Sequence, residues 1–339
     1  MMIYIILALF IIVIASAAYL IYDFFIYTYE TSARSVSSAS SARSGVNINL
    51  LEEDAQATED TEDITENYEN NDHIYFMTYK DTANFFANDA DMYVRNMTDL
   101  DLHARKVKTH MEYINNIEDT AISFTEEEKG LLKRCAENAD IYLRKETFKE
   151  LKYMKYTDYI NGNNIAEIKW VFANTYTNRF NDILKENEEG LPHTRENVIF
   201  LSKNVLKNDE LNLTNTLIHE KIHIYQRYNS KIFDKIMREM GLKELDKKSY
   251  KFAKYIRSNP DTNNKIYYAA TAATAATADT EAAEIDEESI MVCLYRNNKP
   301  NGINDVIHTN YAKEHPYEKI AYEIAENFYK NNKDKYINI

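Results

Sequence analysis

The stretch Thr214-Asn215-Thr216-Leu217-Ile218-His219-Glu220-Lys221-Ile222-His223-Ile224-Tyr225-Gln226-Arg227 sets two histidines four residues apart, with a glutamate directly after the first. Residues four apart on a helix lie on one face, about a turn from each other, so His219 and His223 can hold one metal ion between them. Glu220 then stands beside that ion without ligating it. Two neutral imidazoles and a neighbouring carboxylate suit zinc hydrolysis: the ion lowers the pKa of water to roughly 7, and the carboxylate takes its proton. Attack of that water on a carbonyl is the chemistry implied. Leu217, Ile218, Ile222, Ile224 and Tyr225 give the window an amphipathic helical pattern, with Thr214 available as N-cap and no Gly or Pro inside. A helix with two histidines and no metal is the alternative that such a window leaves open.

Upstream, Asn197-Val198-Ile199-Phe200-Leu201-Ser202 reads as a short apolar strand between Pro192 and a Lys/Asn-rich turn at 203–209. A strand followed by a helix carrying His-Glu-x-x-His resembles the zincin metallopeptidases. That resemblance implies zinc as the metal, Glu220 as general base, an edge strand that aligns the substrate backbone, and a third protein ligand. The Gly and third His that continue the motif in metzincins are absent from residues 224–231.

Further on, Glu314-His315-Pro316-Tyr317-Glu318-Lys319-Ile320-Ala321-Tyr322-Glu323-Ile324-Ala325-Glu326 has a proline placed to open a helix and a small apolar face of Ile320, Ala321, Ile324 and Ala325. Here the resemblance is to gluzincins, whose third ligand is a Glu on a later helix, commonly followed three residues on by a small residue where the helices pack. It implies Glu318, followed by Ala321, as the third ligand, with Glu323 and then Glu326 behind it. Gluzincins also present a Tyr or His to the developing oxyanion. His308, Tyr311, His315 and Tyr317 are in range for that role, and His315 is the nominee. Asn215 and Asn174 are candidates for contact with substrate backbone. The resemblance spans residues 165–335.

At the other end of the chain, residues 1–22 carry no charged side chain. At about 1.5 Å per residue they reach roughly 33 Å, enough to cross a bilayer core. Residues 1–29 are therefore expected to be a transmembrane anchor, with Tyr22, Tyr27 and Tyr29 at the interface; a cleaved signal peptide ending near Ala15-Ser16-Ala17 is the alternative. Arg34 and Arg43 follow the span and weakly place the C-terminal bulk on the cytosolic side of a single-pass membrane protein, whereas Asn96-Met97-Thr98 and Asn212-Leu213-Thr214 are formal glycosylation sequons. Residues 30–72 form a linker, Ser/Ala-rich and then acidic. Within it, residues 52–72 carry ten acidic and no basic side chains, most of the formal net charge of −14, a composition that cannot bury enough apolar surface to fold. The remainder is near neutral, which argues against a nucleic-acid partner. Two cysteines, Cys135 and Cys293, give no disulfide framework.

Residues 73–339 have a globular composition. A mainly helical lobe is expected at 73–160, where Thr125 and Glu128 form a capping box ahead of Leu131, Leu132, Cys135, Ala139 and Leu143, and where His103 and His110 read as surface residues. The catalytic part, 161–339, holds an expected strand at 165–173 pairing with 197–202, a second helix at 231–240 stopped by Gly241, and strands at 265–268 and 290–295 around a low-complexity loop at 269–289. The Asn-, Ile-, Lys- and Tyr-rich composition, with 6 Gly and 4 Pro, is what an AT-rich genome encodes, such as that of a large DNA virus or an AT-rich microbe. The expectation is an α+β, mainly helical, zincin-like domain with a small mixed sheet behind an N-terminal transmembrane helix. It would be a membrane-anchored zinc metallopeptidase acting on peptides or proteins, with one Zn2+ on His219, His223 and Glu318. The alternative is a catalytically inactive, membrane-tethered structural or interaction protein of the same fold.

Overall fold

The strands nearest the His-Glu-x-x-His helix alternate in the way a sheet covered on both faces requires. In the computed structural model, which describes residues 73–145, 148, 151–152, 159–176, 190–269, 289–307 and 315–336, β3 (Trp170–Thr175) pairs in parallel with β1 (Ile74–Phe76) on one side and β5 (Val198–Ser202) on the other. β2 (Ala121–Ile122) runs antiparallel to the end of β3, and β4 (His193–Arg195) runs antiparallel to β5. Successive side chains point to opposite faces. Trp170, Phe172, Ile199 and Leu201 go to one core; Val171, Ala173, Val198 and Phe200 go to a second.

The second core is covered by α1 (Tyr79–Asn88) and α3 (His110–Glu118), through Phe85, Phe86, Tyr113, Ile114 and Ile117; the short α2 (Asp99–Ala104) lies between them in sequence. The first, larger core takes α4 (Glu126–Lys145), α6 (Glu210–Tyr228) and α8 (Pro316–Tyr336), whose Leu132, Leu143, Leu217, Ile222, Ile320, Ala321 and Ile324 are all essentially inaccessible. Being packed on several sides, α6 is buried around most of its circumference.

Several expectations hold at residue level. Thr125 and Glu128 exchange the two capping-box hydrogen bonds, at 2.8 and 3.2 Å, at the start of α4. The helix after α6, α7 (Ser230–Glu239), ends at Gly241, whose φ of +77° is a left-handed conformation that glycine adopts without penalty. β7 (Tyr267–Ala269) pairs antiparallel with β8 (Ile290–Met291) and with β6 (Leu242–Glu244), forming a second, three-stranded sheet. Both cysteines are buried, and they form no disulfide with each other.

Other expectations are corrected. The strand placed at 165–173 is two elements: α5 (Gly162–Ala166), capped by Asn161, and then β3, beginning at Trp170. The strand at 197–202 exists but is interior to the sheet; the edge beside α6 belongs to β4. The placement as a single-pass membrane protein is also corrected. No described helix is long and apolar enough to cross a membrane, because the long helices α4 and α8, of 20 and 21 residues, carry charges along their length. The segment 1–29 on which that placement rested lies outside the described residues, as do the linker at 30–72 and residues 270–288 of the low-complexity loop.

Candidate metal centre

α6 begins at Asp209, whose side chain accepts from the Asn212 N–H at 2.8 Å. Thr214, the cap expected from sequence, instead lies within the helix and donates its hydroxyl to the Glu210 carbonyl at 2.7 Å. One turn apart on the face turned to α8, His219 and His223 bring their Nε2 atoms to 3.0 Å. Glu318 comes from the first turn of α8, and its Oε2 lies 3.3 Å from His219 Nε2 and 3.4 Å from His223 Nε2. Residues 95 positions apart thus offer three ligand atoms to one point. Bonds of about 2.0–2.1 Å to a tetrahedral ion would separate such ligand atoms by roughly 3.3–3.4 Å. The donor set and its spacing fit a single ion of that kind.

The surrounding side chains orient these donors. Gln226 accepts at Oε1 from His223 Nδ1–H at 2.8 Å, and its own Nε2 donates to the Tyr317 carbonyl at 3.0 Å. The carbonyl fixes which way the amide faces. The amide in turn keeps the His223 proton on Nδ1 and leaves the Nε2 lone pair for the centre. Asn259 Nδ2 donates to Glu318 Oε1 at 2.9 Å, so Oε2 is the oxygen that meets the histidines. The Tyr322 ring stands 4.3 Å from the His219 ring, centre to centre, and restricts its rotation.

Burial dominates the electrostatics and the carboxylates oppose it. Burial lowers the pKa of His219. It would lower that of His223 too, but Glu318 and then Asp261 outweigh it and push His223 up to about 10. Glu318 is held well below the ordinary carboxylate range by His223, against its own burial. Positive charge is therefore favoured at the centre of the triad. Glu220, 3 % exposed, is raised well above its usual range by burial and then by Asp261. Its Oε2 is buried without a hydrogen-bond partner among the described residues.

Glu220, His219 and Glu318 line an open cleft of about 270 Å³ with Leu191, Asn215 and Asp261. Asn215 Oδ1 is buried there without a partner among the described residues. Asn174 is elsewhere, buried in β3 with its Nδ2 3.5 Å from the Ser123 carbonyl. Glu323 is half-buried and outside the triad; Glu326 is exposed and pairs with Lys330 at 2.8 Å. His103 is exposed, and His110 contacts the Met97 carbonyl. His308 and Tyr311 lie outside the described residues.

The structure places His315 at the start of α8, where it caps the helix. It is absent from the cleft lining, its Nδ1 accepts from the Tyr317 N–H at 3.2 Å, and its Nε2–H donates to the Lys265 carbonyl at 3.2 Å. Burial pushes its pKa down to about 3, so the ring is neutral, as that tautomer requires. Its position at the start of α8 sets the helix that carries Glu318. Replacing His315 by Ala is expected to cost about 1 kcal/mol or more in thermal unfolding, with His315→Asn recovering part of it, since Asn is a good N-cap.

Gln226, Asn259 and Asp261 were not anticipated. Gln226 sits three residues after His223 on the same helical face, so spacing alone could have marked it. Asn259 caps, and Asp261 lies within, a short polar turn, Pro260–Thr262, that only the folded chain brings to Glu318 and to β4. Comparison of the chain with protein-family models, curated proteins and solved structures finds no match.

Proposed function

We propose that this protein is a zinc-dependent hydrolase of zincin type, cleaving peptide bonds, with His219, His223 and Glu318 as ligands and Glu220 as general base and acid. One observation carries the reading: three ligand atoms from two helices stand 3.0–3.4 Å apart beside a buried carboxylate oxygen that has no partner among the described residues. A zinc ion held there would supply Lewis acidity, polarising a carbonyl and lowering the pKa of water. Glu220 takes the proton from the attacking water and passes it to the leaving nitrogen as the C–N bond breaks. Burial raises its pKa above the usual carboxylate range, the direction that strengthens a carboxylate as a base. Asn215 Oδ1 accepts an N–H from the substrate main chain and orients it.

The test is the zinc content of the purified chain. Wild type should hold about one equivalent, and His223→Ala and Glu318→Ala should each weaken binding by more than about 100-fold, since even loss of a residue that merely supports a ligand costs 10–100-fold. A metal-free wild type prepared without chelators would overturn the reading. Zinc that survives Glu318→Ala would displace the third ligand from α8.

A further inference from the structure

β4 is the edge of the sheet beside α6, but its free side is not open. Thr194 pairs with Ile199 of β5 and turns its own N–H and carbonyl outward. There the N–H donates to Asp261 Oδ1 at 2.9 Å, and the carbonyl accepts from Arg227 at 3.2 Å. The turn Pro260–Thr262 is fixed in that position. Asn259 accepts from the Asp261 N–H at 2.9 Å, while Arg227 donates to the Pro260 carbonyl at 3.1 Å. A substrate that added to β4 as a further strand would find these groups already taken.

The residue that closes the edge also faces the cleft. Asp261 is 7 % exposed and lines the cleft together with Glu220 and Glu318. Both hydrogen bonds it accepts, from the N–H and the hydroxyl of Thr194 (2.9 and 2.5 Å), fall on Oδ1. Oδ2 accepts none from any described residue, and no described side chain forms an ion pair with Asp261. A carboxylate that is nine-tenths buried and unpaired is unfavourable until a cation or a charged donor meets it. Arg257 is the only arginine or lysine among the described lining residues, and it donates to the Ile303 carbonyl at 3.3 Å.

We propose that Asp261 is a specificity-determining residue that selects substrates carrying a cationic N–H donor, an ammonium or guanidinium group, close to the bond to be cut. This rests on the metallopeptidase reading for the bond, though not for the subsite. The donor meets Asp261 Oδ2, and Asn215 Oδ1, which has no partner among the described residues, adds an acceptor on the same cleft wall. Two sources supply such a group, the free amino terminus of a peptide or a basic side chain. The closed edge at Thr194 favours a chain end.

The experiment measures binding of three tripeptide amides to the full chain carrying Glu220→Gln, which halts turnover, with and without D261N. The peptides are trialanine amide with a free amino terminus, its N-acetyl form, and the N-acetyl form with a central lysine. Asn at 261 keeps the Oδ1 acceptor for Thr194 and removes the charge at Oδ2. At least one cationic peptide should bind roughly 10–100-fold more tightly than the neutral one, the range of a hydrogen bond to a charged group, and D261N should abolish that difference. Preference for the free amino terminus over the lysine peptide assigns the donor to a chain end; the reverse assigns it to a side chain.

Equal binding of all three peptides, or a preference that survives D261N, overturns the proposal. D261E keeps the charge and should keep the preference; should D261N not fold, loss of the preference in D261E would count against Asp261. Charge-selective binding in a wild-type chain that hydrolyses nothing would remove the peptidase reading and leave the subsite. Hydrolysis without charge preference would do the opposite.

Discussion

Glu220→Gln is expected to lower peptide hydrolysis by about 10²–10⁴-fold, the usual contribution of a positioned acid–base group, while the chain still takes up zinc. The amide has nearly the volume of the carboxylate, so the packing of a side chain 3 % exposed is disturbed little. What it cannot do is accept a proton. Burial and then Asp261 already disfavour the charge on this side chain, so its removal is expected to cost little stability. Loss of turnover could then not be blamed on unfolding. The decisive comparison is initial rate against an unfolded protein substrate at matched zinc content. Equal rates in wild type and variant would remove Glu220 from the chemistry. A zinc-loaded wild type that cleaves nothing would favour a scaffold without turnover.

On the proposed reading, zinc binding carries its own pH dependence. The ligands must be deprotonated to bind, and Glu318 favours a proton on His223, so the proton and the metal compete for one place. Affinity should therefore fall as pH falls.

The candidate site was legible from sequence where it is set by local spacing. His219, Glu220 and His223 follow from helical geometry alone, and Ala321, fully buried as α8 packs in the main core, fits the small-residue pattern that singled out Glu318. What could not be read depends on long-range placement. β4 is only His193-Thr194-Arg195, a polar sequence without strand character, and its burial comes from partners far away: Arg195 pairs with Asp89 and Asp91 at 2.7 and 2.6 Å. Asn259 and Asp261 are ordinary turn residues until the fold sets them against Glu318 and Thr194. His315 stood out as an oxyanion candidate because it precedes the ligand helix; that same position makes it the cap. The apolar run at 165–173 hid a boundary, because Ile165 and Ala166 are buried by a short helix and Trp170 onward by a strand.

Lys221→Met is expected to destabilise the chain by about 3–5 kcal/mol, the typical consequence of removing one partner from a buried ion pair. Lys221 is the residue after Glu220, yet it points away from the cleft and is 1 % exposed. Its ammonium donates to Asp140 Oδ1 of α4 at 2.7 Å and to the Ala166 carbonyl at the end of α5 at 3.0 Å, and lies 3.9 Å from the centre of the Trp170 ring of β3. Burial lowers its pKa to about 8 even with Asp140 beside it, so the lysine remains charged at neutral pH at some cost. Four elements meet at this one side chain. Asp140 Oδ2 also accepts from Trp170 Nε1 at 3.0 Å and contacts His73 Nε2 at 2.8 Å. Methionine fills the space of the stem and can still pack on the indole, but it leaves the carboxylate without its cation. If the uncompensated charge is the cause, Asp140→Asn in the Lys221→Met background should restore much of the lost stability, giving a coupling of at least about 1 kcal/mol in a double-mutant cycle. Additive losses in denaturant unfolding would instead mean that the lysine stabilises through packing on Trp170. In either case the effect should fall mainly on stability, with the zinc stoichiometry of the folded fraction unchanged, because Lys221 occupies the face of α6 opposite the ligands.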